Sequence, residues 1–314
     1  MLSARTVPVT PVTTPVTTFE VVIMEIRVLE YFLAVAREES ISHAAESLHL
    51  TQPTLSRQLK DLEEELGKTL FTRGKKITLT DDGILLRKRA EEIVDLVHKT
   101  KKEVKQNDDI IAGDIYIGAG ETRGMKLIFE AAKKMQETYP DVRFHISSGD
   151  ATDCTDRLIK GLDDFTLFMG SVDDIRFESI EIPFYDQWGV LIRQDDPLAK
   201  KTSVKAKDLK NRKLIMSRRI KSGSQVADWF GKFFTSLDII GTYNLSYNAS
   251  LMAEQGMGVV LSLDGLIFTS DETPLAFRPL EPKLSMKMSF AWKKDTVLSP
   301  AAEKFLEIVN KVII

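Results

Sequence analysis

Three apolar stripes at helical spacing, separated by very short punctuation, dominate residues 24–67. Leu29, Phe32, Leu33 and Ala36 recur at i, i+3, i+4 and i+7, which defines the buried face of an amphipathic helix. Ser40–Ser42 interrupts the pattern, and Ser42 is expected to cap a short second helix that carries Ala44, Ala45 and Leu48. The small alanines permit a close helix crossing. His49-Leu50 then turns, Thr51 is the expected N-cap of a third helix, and Pro53 falls in its first turn, where a missing N–H costs little. Leu55, Leu59, Leu62 and Leu66 form that helix's stripe, and Gly67 ends it.

A short helix, a tight turn and a second helix, braced by a preceding one, form a helix-turn-helix. In that geometry the N-terminal part of the later helix enters the major groove of DNA. Its outward residues are Gln52, Pro53, Thr54, Ser56, Arg57 and Lys60, joined by Ser42 and Thr51 at the helix starts. Gln pairs with adenine and Arg with guanine in bidentate fashion, and Thr offers a methyl to thymine; Lys60 is placed for phosphate. A merely solvated polar face on a structural hairpin is the competing reading. Two neighbours favour DNA. Leu70-Phe71 leads through the basic tip Arg73-Gly74-Lys75-Lys76 into the alternating run Ile77–Thr80, the pattern of a wing suited to backbone phosphates. Thr80, Asp81 and Asp82 then open a long helix in which Leu86, Ala90, Ile93, Val97, Thr100 and Val104 form a heptad-like seam, expected to dimerise.

Charge supports a local rather than a bulk effect. The chain carries a net charge of −3, so it is no polycation. Met24–Gln106 holds fifteen Lys and Arg against fifteen Asp and Glu, and its acids are expected on Glu63–Glu65 and the helix ends, away from the reading face.

Ser42, Ala44-Ala45, Leu48, the run Thr51-Gln52-Pro53-Thr54-Leu55-Ser56-Arg57-Gln58-Leu59, Leu62-Glu63, Leu66-Gly67, Leu70-Phe71, Arg73, Leu79-Thr80 and Gly83 together resemble the DNA-binding region of LysR-type transcriptional regulators. About sixty residues match closely, with a wing one residue shorter than usual. The resemblance implies a winged helix-turn-helix, a dimerisation helix and an effector domain similar to periplasmic binding proteins, with two lobes joined by two crossovers. It also implies homotetramers built from dimers; the expected partners are a double-stranded DNA operator, a small-molecule effector and RNA polymerase, with a homodimer or homotetramer as the assembly.

The larger remainder is read as α/β. Gly113–Ala119, Val142–Ile146 and Phe165–Met169 are strands alternating with helices over Met125–Tyr139 and Asp150–Leu162, which implies a parallel sheet. Gln187–Ile192 starts a second series with Leu214–Met216, Ser224–Thr235, Leu245–Tyr247, Leu251–Gly256 and Val259–Leu263. The expected fold is therefore α/β, with an α-rich winged helix-turn-helix domain at 24–82, a linker helix at 83–110 and an effector domain at 111–314. Lobe I takes 111–184 plus 288–314 and lobe II 185–287, with crossovers near Phe184–Gln187 and Met286–Phe290. Residues 1–23, rich in Pro-Val-Thr repeats, are expected to be a disordered extension.

Ligands of open parallel sheets bind beyond the carboxyl ends of strands. The effector candidates at such ends are Thr122, Asp150, Thr152, Ser171, Ser217, Arg218 and Asn248, with Glu121 and Arg219 beside them. Hydroxyls and backbone N–H groups suit an anionic metabolite, and Arg218 or Arg219 adds a cation. Glu121 and Asp150 oppose an anion, which leaves the effector's charge open; Thr122 and Thr152 also fit plain helix caps.

Other classes find less support. Four histidines show no metal-ligand spacing, and no nucleophile elbow, P-loop or dinucleotide fingerprint is present, so no catalytic residue, metal or cofactor is expected. Cys154, the single cysteine, excludes an internal disulfide and reads as an inert small residue in a reducing, cytoplasmic setting. No apolar run reaches the roughly 18 residues of a membrane span. A nucleoid-type DNA-binding protein, and an enzyme or solute-binding module with a helical cap, are the alternatives.

Overall fold

The computed structural model describes residues 24–72, 74, 76–105, 111–170 and 172–313. The chain divides into two compact units with the boundary between Val97 and His98. The expected extension at 1–23 lies outside the described residues.

In the first unit, α1 (Ile26–Glu38), α2 (Ile41–Ser47) and α3 (Gln52–Leu66) pack around Leu29, Phe32, Val35, Ala44, Leu55 and Leu62. Burial of each large apolar side chain contributes about 1.5–3 kcal/mol. Ser40, not Ser42, caps α2: its hydroxyl accepts from the His43 N–H, while Ser42 is exposed in the first turn. Thr51 caps α3, accepting from Thr54 N, and Gly67 closes it with φ +62°. Leu66, expected on the buried stripe, is exposed.

A two-stranded ribbon follows, β1 (Phe71–Thr72) against β2 (Thr78–Leu79). Glu63 is not a solvated acid, since its carboxylate accepts the N–H groups of Leu70 and Phe71 and fixes the start of the ribbon to α3. Thr80 then accepts from Gly83 N and opens α4 (Asp81–Lys105).

The expected seam along α4 is split. Ala90 and Val94 are buried, with Leu86 packed beside them, in the core of the first unit, whereas Ile93 and Val104 stay exposed. A strict seven-residue seam drifts around a 3.6-residue helix, so its first third turns inward here. Beyond the unit boundary, the buried Lys99 donates to Asp164 Oδ1 at 2.7 Å and to the Gly161 carbonyl at 2.9 Å.

The second unit contains β3 (Gly113–Ala119), α5 (Met125–Thr138), β4 (Val142–Ser148), α6 (Ala151–Ile159), β5 (Phe165–Met169) and β6 (Phe177–Arg193). There follow α7 (Ala206–Leu209), β7 (Lys213–Ser217), α8 (Gln225–Phe230), β8 (Asp238–Tyr243) and α9 (Ser246–Glu254). The unit closes with β9 (Val259–Leu263), β10 (Leu275–Pro279), β11 (Ser285–Lys293) and α10 (Pro300–Ile313). Strand order is β4-β3-β5-β11-β6-β9-β7-β8, with β10 on the second half of β6.

Only part of this sheet is parallel. β3 pairs in parallel with β4 and β5, and β7 with β8 and β9, but β6 and β11 run antiparallel to their neighbours. The 17-residue β6 serves both halves of the sheet, and its pairing with β11 shifts register between Lys287 and Met288. One apolar cluster gathers around Phe165, Phe290 and Phe305, with the first two rings stacked at 4.9 Å; another gathers around Val190, Leu214, Phe230 and Leu261. They are the cores of two lobes.

Several expected elements move. The segment at Leu245–Tyr247 is the start of α9, and the strand precedes it as β8, an edge strand whose exposed Ile239 and Ile240 hide the usual alternation. The helix expected over Asp150–Leu162 ends at Ile159, and that over Ser224–Thr235 gives way at Gly231 to a 3₁₀ turn.

Candidate DNA-reading face and effector cleft

The polar face of α3 is assembled as its spacing predicts. Gln52, Pro53, Thr54, Arg57 and Lys60 are all exposed, and Ser56 is half-buried. Arg57 is 83% exposed in its side chain. Thr51 spends its hydroxyl locally, on the Thr54 N–H and at 2.8 Å from the Thr54 hydroxyl.

Acids are nearer to this face than sequence grouping suggested. Asp61 stands 4.0 Å from Arg57 and Glu64 3.0 Å from Lys60, each one helical turn on. Such exposed i,i+4 pairs are worth about 0.3–0.5 kcal/mol, so phosphate or a base edge displaces them at little cost. Lys76 is held by Glu39, Nζ to Oε2 at 2.8 Å, and this pairing lowers the Glu39 carboxyl and raises the Lys76 ammonium. Arg73 and Lys75, the other expected wing contacts, lie outside the described residues.

Between the lobes of the second unit lies a cavity of about 360 Å³. Its wall combines Glu121 after β3, Asp150 at the start of α6, Gly170 after β5, Ser217 at the end of β7 with Arg219 beyond it, and Asn244 after β8. Strand ends thus converge on one cleft. Phe168, Met169, Val226, Leu263, Leu266 and Met286 supply much of its apolar surface.

Of the seven expected effector residues, Asp150 and Ser217 line this cavity. Ser171 lies outside the described residues. Thr122 is buried elsewhere, its hydroxyl accepting from Gly124 N at 2.9 Å and donating to Met288 Sδ. Thr152 and Asn248 are exposed on α6 and α9, away from the lining. Arg218 does not line the cavity; it turns to Asp150 and Asp153.

Polar links join the lobes across the cleft. Arg218 Nε lies 2.6 Å from Asp150 Oδ2 and its Nη2 3.3 Å from Asp153. Arg123 Nη1 stands 3.2 Å from Asp264. The Glu121 carboxylate accepts the Ser246 N–H at the start of α9, a favourable place for negative charge. Burial works to raise the Asp150 carboxyl, but the Arg218 bond and the N–H groups of Asp153 and Thr152 outweigh it and hold the pKa below the ordinary value. Tyr243, on the same wall, is pushed up to about 12 by burial and donates its hydroxyl to the Leu261 carbonyl.

Trp188, Met286, Tyr243 and Gln225 were missed as cleft residues. Trp188 and Met286 sit within the crossing strands β6 and β11, where a rule based on strand ends does not look. Cys154 also reaches the cavity wall, and burial pushes its thiol up to about 11. Among the described residues no group of three His, Cys, Asp or Glu side chains is placed to hold a metal ion, and no helix is long and apolar enough to cross a membrane.

Comparison with known proteins finds a family match for each of the two regions. Residues 26–84 match the family described as "Bacterial regulatory helix-turn-helix protein, lysR family", and residues 110–313 match "LysR substrate binding domain". The HTH-type transcriptional regulator BsdA of Bacillus subtilis is 42% identical over 125 residues, 39% of this chain and 43% of BsdA. The uncharacterized HTH-type transcriptional regulator YbhD of Escherichia coli is 29% identical over 297 residues, covering 91% of this chain and 90% of YbhD. The chain thus spans less than half of BsdA and nearly all of YbhD. The crystal structure of CbnR, a LysR family transcriptional regulator, is similar with a TM-score of 0.70 at 18% identity, over 93% of this chain and all of that one. That likeness concerns the fold. On the match of both regions, the chain belongs to the lysR family of bacterial regulatory helix-turn-helix proteins.

Proposed function

We propose that this protein is a sequence-specific transcriptional regulator that reads a two-fold operator through α3 and takes its signal from a small molecule held in the cleft. The observation that carries the reading is the α3 face: Gln52, Thr54 and Arg57, three side chains able to read base edges, stand exposed at the N-terminal end of a braced second helix. Thr51 and Ser42 flank it, Lys60 and the wing residues Arg73, Lys75 and Lys76 supply phosphate contacts, and base specificity rests on the first group.

Action as a homodimer or homotetramer fits the surface. Ile93 and Val104 leave apolar positions uncovered along α4. The outer strands of the large sheet, β4 and β8, with α5 and α9 beside them, expose Phe129 and Ile146 on one lobe and Ile239, Ile240, Tyr247 and Leu251 on the other. Exposed apolar patches of this kind mark association surfaces. The partners of this reading are operator DNA, the effector and RNA polymerase, and its place is the bacterial cytoplasm. Asp150, Ser217 and Arg219 are its effector-side residues, with Arg218 and Thr152 acting through Asp150. It requires no catalytic group, metal or cofactor.

The test is binding of the purified chain, by footprinting and over a salt series, to the DNA flanking its own gene and to unrelated DNA. A discrete two-fold footprint with at least about a thousandfold preference supports the reading. Equal affinity for both, and for a random genomic library, would leave only non-specific attachment.

A further inference from the structure

The cavity's hydrogen-bond inventory narrows the chemistry of what it holds. Resting on the reading of the cleft as an effector site, the question is whether its walls present donors or acceptors to a guest. Both acids of the wall are already engaged. Asp150 Oδ1 accepts from the N–H groups of Thr152 and Asp153, and its Oδ2 takes Arg218. Glu121 accepts the Ser246 N–H at the start of α9. Tyr243 donates its hydroxyl in a hydrogen bond to the Leu261 carbonyl, and the Ser224 hydroxyl caps α8 by accepting the Ala227 N–H.

Two of the uncommitted groups, Trp188 and Arg219, can only donate. Trp188 lines the cavity and is 7% exposed, yet its indole N–H has no acceptor among the described residues. An indole nitrogen can only donate, so a buried one without a partner calls for an acceptor from outside the chain. Arg219 lines the same cavity and forms no ion pair among the described residues. The Asn244 and Gln225 amides lie beside it on the wall, both exposed. The rest of the surface is largely apolar, and about 360 Å³ sits near the lower end of the range for small-molecule pockets.

One other acid is near. Asp186 precedes Trp188 by two residues and is buried. Burial pushes its carboxyl upward, toward the uncharged form, while Thr122 and Arg123 pull the other way. It is not part of the cavity wall.

We propose that the cleft takes a small carboxylate with an apolar body, whose oxygens are received by the Arg219 guanidinium and the buried Trp188 N–H. The apolar body rests on Phe168, Met169 and Met286. Trp188 selects against amines, which bring it a second donor, and Arg219 selects against neutral amides. The repulsion that Glu121 and Asp150 threaten in the bare sequence is cancelled by α9 and Arg218.

The full-length chain is tested by thermal shift and by tryptophan fluorescence against two matched probe sets: phenylacetate, phenylacetamide and phenethylamine; and hexanoate, hexanamide and hexylamine. At least one carboxylate is expected to bind, with its amide at least tenfold weaker and its amine without effect. Trp188→Phe and Arg219→Gln are each expected to weaken that carboxylate at least tenfold without lowering the melting temperature of the ligand-free protein. An amine that binds as well as its carboxylate, no shift from either carboxylate, or unchanged binding by Trp188→Phe would each overturn the proposal. DNA binding by the same preparations separates the two failures: loss of carboxylate binding with a specific footprint intact removes this ligand class alone.

Discussion

Arg218 of lobe II grips Asp150 of lobe I, Nε to Oδ2 at 2.6 Å, at the point where Asp150 also caps α6. The cap and the ion pair share one carboxylate, so the closure of the lobes and the start of a helix depend on the same residue. Arg218→Ala is expected to loosen the cleft rather than unfold the protein, because the buried Asp150 carboxylate keeps its two backbone N–H partners at the start of α6. In a background with Trp229 and Trp292 replaced by Phe, acrylamide quenching of Trp188 should rise on Arg218→Ala. Quenching that does not change would show that the pair does not hold the cleft shut.

Gly83 has a stricter role than its place in a helix suggests. A Cβ at this position would run into the backbone carbonyl of Leu70, which cannot swing away as a side-chain tip can. Gly83→Ala trades a favourable helix propensity for that collision, and the collision should win, destabilising by about 1–3 kcal/mol. The urea midpoint of the first transition reports it; an unchanged or raised midpoint would mean that the ribbon moves aside freely.

Asp114 links α4 to lobe I through Lys102 at 2.8 Å, with Arg143 at 3.1 Å and His145 Nε2 at 2.9 Å on its other oxygen. Burial alone would raise its carboxyl, but the bonds from Lys102 and His145 and the charges of Lys102 and Arg143 bring it down to about 2. A lowered folded-state pKa means stability present above the unfolded value of 3.8 and lost as pH falls through about 2. Asp114→Asn should therefore cost on the order of 2 kcal/mol at neutral pH, and the difference from the parent should close over that acid window. A difference independent of pH would assign the effect to packing.

Cys154 is placed to be silent. Its thiol is buried beside Asp163, Asp153 and Asp150 and is pushed up to about 11, far from the thiolate form that reacts with oxidants or alkylating agents. Native-state iodoacetamide labelling at pH 8 should be slow, and peroxide should leave DNA binding unchanged in the parent and in Cys154→Ala alike. Rapid labelling would contradict the burial.

The helix-turn-helix was legible because its information is local. Thr51, Pro53 and Gly67 act within one turn of themselves, and the leucine stripe of α3 repeats at its own helical period. Errors arose where two local choices were equivalent or a partner was distant. Ser40 and Ser42 are both N-cap residues by type, and only the hydrogen bond to His43 N decides between them. The α4 seam looked continuous because the sequence does not show that Leu86 and Ala90 meet the core of α1–α3. For the cleft, strand ends point to Asp150 and Ser217, but Trp188 comes from the interior of β6 and Met286 from the first residues of β11, antiparallel strands that cross between lobes. Nothing in the sequence pairs Arg218 with an acid 68 residues away, and that pairing is what left Arg219 as the open cation.

Base reading by α3 turns on Arg57. On the operator defined by footprinting, the affinities of the parent and Arg57→Ala are measured against every single-base change in one half-site at fixed salt. The variant is expected to lose about 1–3 kcal/mol on the parent site, with discrimination relaxed at one position of the half-site and kept elsewhere. A uniform loss over all sequences, with every base preference retained, would make Arg57 a phosphate contact and would mean that α3 does not read that base through it.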